Sequence, residues 1–212
     1  MRAIVVAGSS LDVVPGPEAL TGSDLLVAVD GGADVLQRLG LRPDVLIGDM
    51  DSVSGSTRLA AERDGVEMVL LPIAKDETDA EAALRLVVAR GAMQVTVYGA
   101  LGGPRLDHLL GNLLLLAADW LQGAQVRLVD GRHEAFLAHG DVTVMGRAGD
   151  TVSLLPLTPT VLQVTTVGLE YPLKSETLIQ AATRGVSNVM TGATARVTHG
   201  DGALLVVHYQ ER

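Results

Sequence analysis

The apolar positions of this chain fall into two regimes. Up to about residue 130, unbroken runs of Val, Leu, Ile and Ala alternate with stretches in which apolar residues recur at helical spacing. The runs Ala3–Ala7, Leu25–Val29, Val45–Ile47, Met68–Leu71, Val95–Tyr98 and Gln125–Val129 read as strands buried on both faces. Between them Ala33–Leu39, Thr57–Arg63, Thr78–Ala89 and Leu106–Leu121 read as helices. Gly40, Gly65, Gly91 and Gly123 stand where a helix stop wants a left-handed residue.

Beyond Asp130 the period changes to two. Short alternating segments appear at His133–Ala138, Val142–Val144, Thr151–Leu155, Leu162–Thr166, Ala193–Thr198 and Ala203–His208. Gly140-Asp141, Gly149-Asp150 and Gly200-Asp201-Gly202 separate them and read as ordinary turns. The expected fold is therefore α/β followed by all-β. An N-terminal open, mostly parallel, Rossmann-like sheet with helices on both faces spans 1–132. A C-terminal β-sandwich or barrel spans 133–212.

Composition narrows the partners. With 48% hydrophobic residues the chain can build a core, and with 2% aromatics that core is aliphatic. A formal charge of −9 argues against nucleic acid and anionic membrane, both of which need a basic face. The absence of cysteine excludes disulfides, thiolate catalysis and Cys-zinc sites. The N-terminal apolar run is too short for a signal peptide, and Leu109–Leu121 is too short to span a bilayer. The expectation is a cytoplasmic protein.

Four polar clusters fall at predicted strand ends, where open α/β sheets bind ligands. In "VAVDGGAD", Asp30 either caps a helix or faces a ligand that Gly31-Gly32 lets come close. In "GDMDS", an extended backbone points Asp49 and Asp51 to one side, where they repel unless a cation intervenes. Magnesium suits such a pair, and local turn bonding is the alternative. Met50 between them then points into the core. In "KDETDAEAAL", Asp76 and Asp79 share a face at a helix start, where they form a capping box or meet a ligand; Lys75 meets a phosphate or is solvated. In "GALGGPRLDHLLGNLLLL", a glycine turn leads into a long helix and offers N–H groups to phosphate, with Arg105 as a forked donor. Asp107 caps that helix or joins the site, and His108 and Asn112 lie four apart on one face.

Taken together the clusters fit a magnesium-bound polyphosphate nucleotide. No GxSxG or HExxH pattern occurs, and the five histidines lack metal-ligand spacing. His133, His139, His199 and His208 read as surface or strand residues, and Trp120 as packing.

The succession of these four motifs, followed by "TTVGLEYPLKSETLIQAATRGVSN", resembles the thiamine pyrophosphokinase family from about residue 26 to 208. The resemblance implies transfer of a pyrophosphoryl group from ATP to the hydroxyl of thiamine, giving thiamine diphosphate and AMP. It implies Mg2+ and a homodimer with the active site between subunits. It also implies an α/β domain followed by a β-sandwich that binds thiamine and dimerises. Carried over, the catalytic acids are Asp49, Asp51, Asp76 and Asp79, with Asp49, Asp51 and Asp79 on the metal and Asp79 as one candidate proton acceptor. The nucleotide falls to Asp30, Gly31, Gly32, Lys75, Arg105, Asp107, His108 and Asn112. Ser187 and Asn188 contact thiamine, from the partner subunit. Two departures stand out: Pro104 is inserted before Arg105, and Tyr171 stands where some relatives carry Trp, stacking on thiamine or serving the core. The competing readings are another Mg-dependent nucleotide phosphotransferase or hydrolase on this scaffold, and a non-catalytic nucleotide-binding regulator.

Overall fold

The computed structural model describes residues 1–8, 15–121 and 123–211, and the chain divides into two compact units, Met1–Gly131 and Arg132–Arg212. In the first unit the elements run β1 (Arg2–Ala7), α1 (Pro17–Leu20), β2 (Leu25–Val29), α2 (Gly32–Arg38), β3 (Val45–Gly48) and α3 (Gly55–Arg63). They continue with β4 (Glu67–Leu70), α4 (Asp79–Ala89), β5 (Gln94–Tyr98), α5 (Leu106–Leu115) and β6 (Gln125–Asp130). All pairings within this unit are parallel, in the order β6-β5-β1-β2-β3-β4. The chain builds outward from β1 through β4, then returns to β1's other side as β5. The strand order therefore reverses between β1 and β5.

In the inner strands β1, β2 and β3 the unbroken apolar runs are explained by two covered faces; β4, at the sheet edge, departs from that reading and leaves Leu70 exposed. Ile4, Val6, Leu26, Ala28 and Leu46 pack against Val35 and Leu36 of α2 and Ala61 of α3. Their alternates Ala3, Val5, Val27 and Val45 are equally buried, and α4 lies against β1, β2 and β3. Gly40, Gly65, Gly91 and Gly123 all take positive φ. After α2, α3 and α4 the next amide reaches back to Leu36, Ala61 and Val87, which closes each helix end.

The helix expected over 106–121 is shorter. α5 ends at Leu115, its last amides tighten into i→i+3 bonds, and Asp119–Leu121 forms a separate 3-10 turn. Trp120 sits on that turn with the Arg85 guanidinium 4.3 Å above its ring, which is a packing role. Among the described residues no helix is long and apolar enough to cross a membrane.

The second unit contains no α-helix among its described residues. Its strands are β7 (His133–Ala138), β8 (Asp141–Met145), β9 (Thr151–Pro156), β10 (Thr160–Val167), β11 (Glu176–Ile179), β12 (Asn188–Val189), β13 (Thr194–Thr198) and β14 (Leu204–Tyr209). Two antiparallel sets, β12-β9-β14-β7 and β11-β10-β13-β8, share one core. Phe136, Leu154 and Val206 come from the first set, and Val144, Val161, Leu178 and Val197 from the second.

One turn expectation is corrected here, and one open alternative is decided. Asp150 is no ordinary turn residue but is buried, and His208 is a strand residue, on β14, equally buried with its Nε2 3.1 Å from Asp150 Oδ2. The Asp150 carboxylate also accepts the Arg147 and Glu211 amides, so the Gly149-Asp150 turn is anchored inward. Gly146 makes room for this pair, since a Cβ there would stand 2.6 Å from Asp150 Oδ2 and 2.9 Å from His208 Nε2.

Candidate active site

The carboxyl ends of β1, β2 and β5 open on a cleft of about 400 Å3 at the strand-order reversal. Gly8, Asp30, Ser52 and Asp79 line one part of it; Gly102, Gly103, Arg105, His108 and Asn112 line another.

Asp30 follows β2 with a left-handed φ of 44°, and its amide bonds to the Ile47 carbonyl at 3.0 Å. It does not cap α2, whose N-cap is Gly31 without a side-chain bond. Its carboxylate instead accepts the Met50 amide at 3.1 Å. Its pKa is raised to about 6: burial is the largest cause, the Met50 bond opposes it, and the fields of Asp79, Asp49 and Asp51 add to it. Gly48 permits this placement. Its φ of 147° suits glycine, and the space for a Cβ there is filled by the Asp30 carboxylate.

The "GDMDS" segment is not extended. The strand stops at Gly48, Met50 takes φ 66°, and the Asp51 amide donates to Asp49 Oδ1 at 3.1 Å. Met50 is buried, as the sequence reading requires, while Asp49 is half-buried and Asp51 exposed on the same turn. Three bonds stitch this turn to the start of α2. The Met50 amide reaches Asp30, the Gly31 amide reaches Ser52 Oγ at 3.2 Å, and the Ser54 amide reaches Asp34 Oδ2 at 3.1 Å. Ser54 also caps α3, accepting the Thr57 amide while donating to Asp34. Ser52, Asp34 and Ser54 are site-building residues that sequence reasoning missed. The only advance signal was their position inside or beside the two acidic motifs.

Asp76 and Asp79 do not share a helix face. Thr78 is the N-cap of α4, its hydroxyl accepting the Glu81 amide, so the helix begins at Asp79 and Asp76 stays exposed before it. Asp79 is the member that enters the cluster. Lys75 Nζ lies 3.0 Å from Asp79 Oδ1 and donates to the Pro72 carbonyl at 3.2 Å. The lysine is not solvated, for its side chain is only 12% exposed. Burial works against its charge, but the Asp79 contact and the fields of Asp79, Asp49 and Asp30 outweigh it and hold its pKa above the ordinary value.

On the far wall, Asn112 Nδ2 donates to the Ala100 carbonyl at 2.9 Å and fixes α5 to the glycine turn. His108 shares that face and is exposed. Arg105 occupies the N-cap position, and Asp107 is therefore no cap; the two form an exposed ion pair, Nε to Oδ1 2.9 Å. The Arg105 guanidinium holds the Asp107 carboxyl down at about 2. Gly31 and Gly32 open α2 behind Asp30.

In the second unit, Asn188 is buried with its amide turned onto Tyr171. Oδ1 accepts the Tyr171 amide at 3.0 Å and Nδ2 donates to the Tyr171 carbonyl at 2.7 Å. Tyr171 itself is 59% exposed and so is not a core residue. Ser187 is exposed, with φ 59° and its amide on Ser153 Oγ. Among the described residues no three His, Cys, Asp or Glu side chains are preassembled as a metal cage.

A parallel sheet with an acid- and glycine-lined cleft at its order reversal defines a ligand-binding α/β enzyme domain. Residues 17–128 match the family model described as thiamin pyrophosphokinase, catalytic domain, and residues 141–204 match the vitamin B1 binding domain of the same enzyme. The chain belongs to the thiamin pyrophosphokinase family, whose reaction is ATP-dependent pyrophosphate transfer to thiamine and whose members typically use a divalent metal. It is 25% identical over 206 residues to the thiamine pyrophosphokinase of Bacillus subtilis strain 168, covering 96% of each chain. The structure of thiamin pyrophosphokinase from Geobacillus thermodenitrificans superposes with a TM-score of 0.86 at 27% identity, covering 100% of this chain and 98% of that one. The yeast enzyme shares the fold at TM-score 0.80 and 17% identity, covering 98% of this chain and 86% of that one.

Proposed function

We propose that Mg2+ and ATP are held in the cleft of the first unit, a Rossmann-like nucleotide-binding domain over 1–132, and that Asp49, Asp51 and Asp79 face the metal. One observation carries this reading. Asp30, Asp49, Asp51 and Asp79 interact at the carboxyl edge of the sheet, and among the described residues Lys75 is the cation in contact with them, so negative charge exceeds positive there. Such a set is unstable alone and fits a hard cation. Magnesium is usually held by one or two carboxylates together with substrate phosphates and water, so a few carboxylates at this edge are enough to take part. When bound, the ion neutralises phosphate charge during transfer. The residues of the chain do the rest. Asp30 holds the Met50 amide and thereby aims the Asp49–Asp51 turn. Lys75 and Arg105 supply cationic donors for phosphate. The glycine turn with His108 and Asn112 walls the nucleotide. Asp76, exposed beside them, completes the acidic motif from outside the helix. Catalysis is positioning and charge neutralisation for in-line attack by the thiamine hydroxyl, with AMP leaving.

The second unit, read as a β-sandwich over 133–212, supplies the thiamine side. There Ser187 meets the substrate and Asn188 acts by holding Tyr171. We read the assembly as a homodimer with the site between subunits. In support, α5 exposes Leu106, Leu110 and Leu114 at 67%, 51% and 62%, an i, i+4, i+8 stripe that a lone chain leaves in water. The compartment we assign is the cytoplasm, in keeping with a cysteine-free chain.

Product analysis tests the reaction. Purified protein is incubated with ATP, Mg2+ and thiamine, with each omitted in turn. Equal amounts of thiamine diphosphate and AMP, formed only with all three, are expected. Thiamine-independent release of ADP or AMP would instead mark a hydrolase, and Mg-dependent ATP binding without turnover a regulator.

A further inference from the structure

The sixteen basic residues of this chain are fourteen arginines and only two lysines, Lys75 and Lys174. One of those two stands in the acidic cluster. Its ammonium touches Asp79 at 3.0 Å and the Pro72 carbonyl at 3.2 Å, and it feels Asp49 and Asp30 as well. Eight other carboxylate ion pairs are made by arginine. The difference is chemical. A guanidinium fork locks onto a carboxylate through two parallel bonds, whereas an ammonium is a compact, strongly hydrated point charge on a flexible stem. A point charge exchanges readily with a hydrated metal ion, and a fork does not.

We propose that Lys75 is an exchangeable internal counter-ion: in the ligand-free enzyme its ammonium competes with the divalent cation for the Asp79 carboxylate, and metal entry releases it to the phosphates. The inference rests on the metal–ATP reading of the cleft and adds a coupling to it. Metal alone must displace Lys75 and binds weakly. Metal with ATP gives the displaced ammonium an anionic partner and binds tightly. The cluster is thereby kept from filling with free metal that would arrive without nucleotide. In the free state the Lys75 side chain is only 12% exposed and its ammonium rests on two protein oxygens.

The test measures binding of Mn2+, a spin-active probe for Mg2+, without any turnover. Nucleotide-free K75Q is expected to bind Mn2+ at least about tenfold more tightly than wild type, because a unit charge next to the site has been removed. K75R is expected to bind it no better than wild type. Equal or weaker Mn2+ affinity in K75Q overturns the proposal and leaves Lys75 a brace for Asp79. A second measurement needs no variant. Acetylation of wild-type protein is followed at Lys75 against exposed Lys174 as internal reference. Mn2+ should raise the Lys75 rate several-fold relative to Lys174, and adding ATP should lower it again; an unchanged ratio at saturating Mn2+ overturns the proposal even if K75Q does not fold. Wild-type protein that binds no Mn2+ even with ATP overturns the metal–ATP reading itself. Binding with ATP, but no gain in K75Q and no change in labelling, overturns the counter-ion alone.

Discussion

Asp30 shows how a single residue converts local geometry into a measurable property. Its carboxyl is raised to about 6 in the folded chain, burial first and three neighbouring carboxylates after. The folded form therefore holds its proton more tightly than the unfolded chain does. The sign follows: the contribution of Asp30 to stability is fully present below the ordinary aspartate pKa and is lost as pH rises through about 6. Asp30→Asn removes the charge while its Oδ1 still accepts the Met50 amide. In metal-free buffer the variant should melt higher than wild type at pH 8, and the difference should vanish near pH 4. A difference independent of pH would mean that Asp30 is stabilised by contacts other than those described. What the sequence revealed at this scale was the company Asp30 keeps, not its partner. The Asp30–Met50, Gly31–Ser52 and Asp34–Ser54 bonds span 20, 21 and 20 residues, and no local pattern encodes them. The extended reading of Asp49-Met50-Asp51 failed for a related reason: the left-handed Met50 depends on a distant carboxylate, not on its own propensity.

At the level of elements, most of the fold was legible because two hydrophobic periods occupy separate halves of the chain. Strand β2 and helix stops such as Gly40 follow from side-chain type alone. The misses are short: α1 has four residues, β11 four and β12 two, too few for a period to declare itself. The reading Thr78–Ala89 placed the start of α4 within one residue, but its cap was misjudged because three cap-capable residues, Asp76, Thr78 and Asp79, lie within four positions and only packing chooses among them. Thr78 won, with its hydroxyl on the Glu81 amide at 3.2 Å. Thr78→Ala should lower unfolding free energy by about 1 kcal/mol in urea titrations, the usual worth of an N-cap, while Thr78→Ser keeps most of it. Asp76→Ala should leave the midpoint unchanged. The reverse ranking would restore Asp76 as the cap. Because Asp79 is the first helical residue, fraying in Thr78→Ala should also loosen Mn2+ binding in the presence of ATP.

For the molecule as a whole, strand order was not legible. The reversal between β1 and β5 that opens the cleft is set by which faces the helices cover, a property of the packed unit. The same holds for α5, whose sequence is strongly apolar yet which has no buried residue. Leu106, Leu110 and Leu114 lie one turn apart on the helix that also carries His108 and Asn112 to the cleft. A second copy covering this stripe would bury apolar surface worth roughly 25 cal/mol per Å2 and would sit beside the cleft. Leu110→Glu places a charge in the middle of the stripe. Sedimentation should then shift from dimer to monomer, with little change in melting temperature at high dilution, because Leu110 is 51% exposed in the single chain. If the site lies between subunits, thiamine diphosphate formation should fall with the dimer and return at protein concentrations that restore it. A variant that stays dimeric would move the interface elsewhere. A monomer that keeps full turnover would place every residue the reaction needs within one chain.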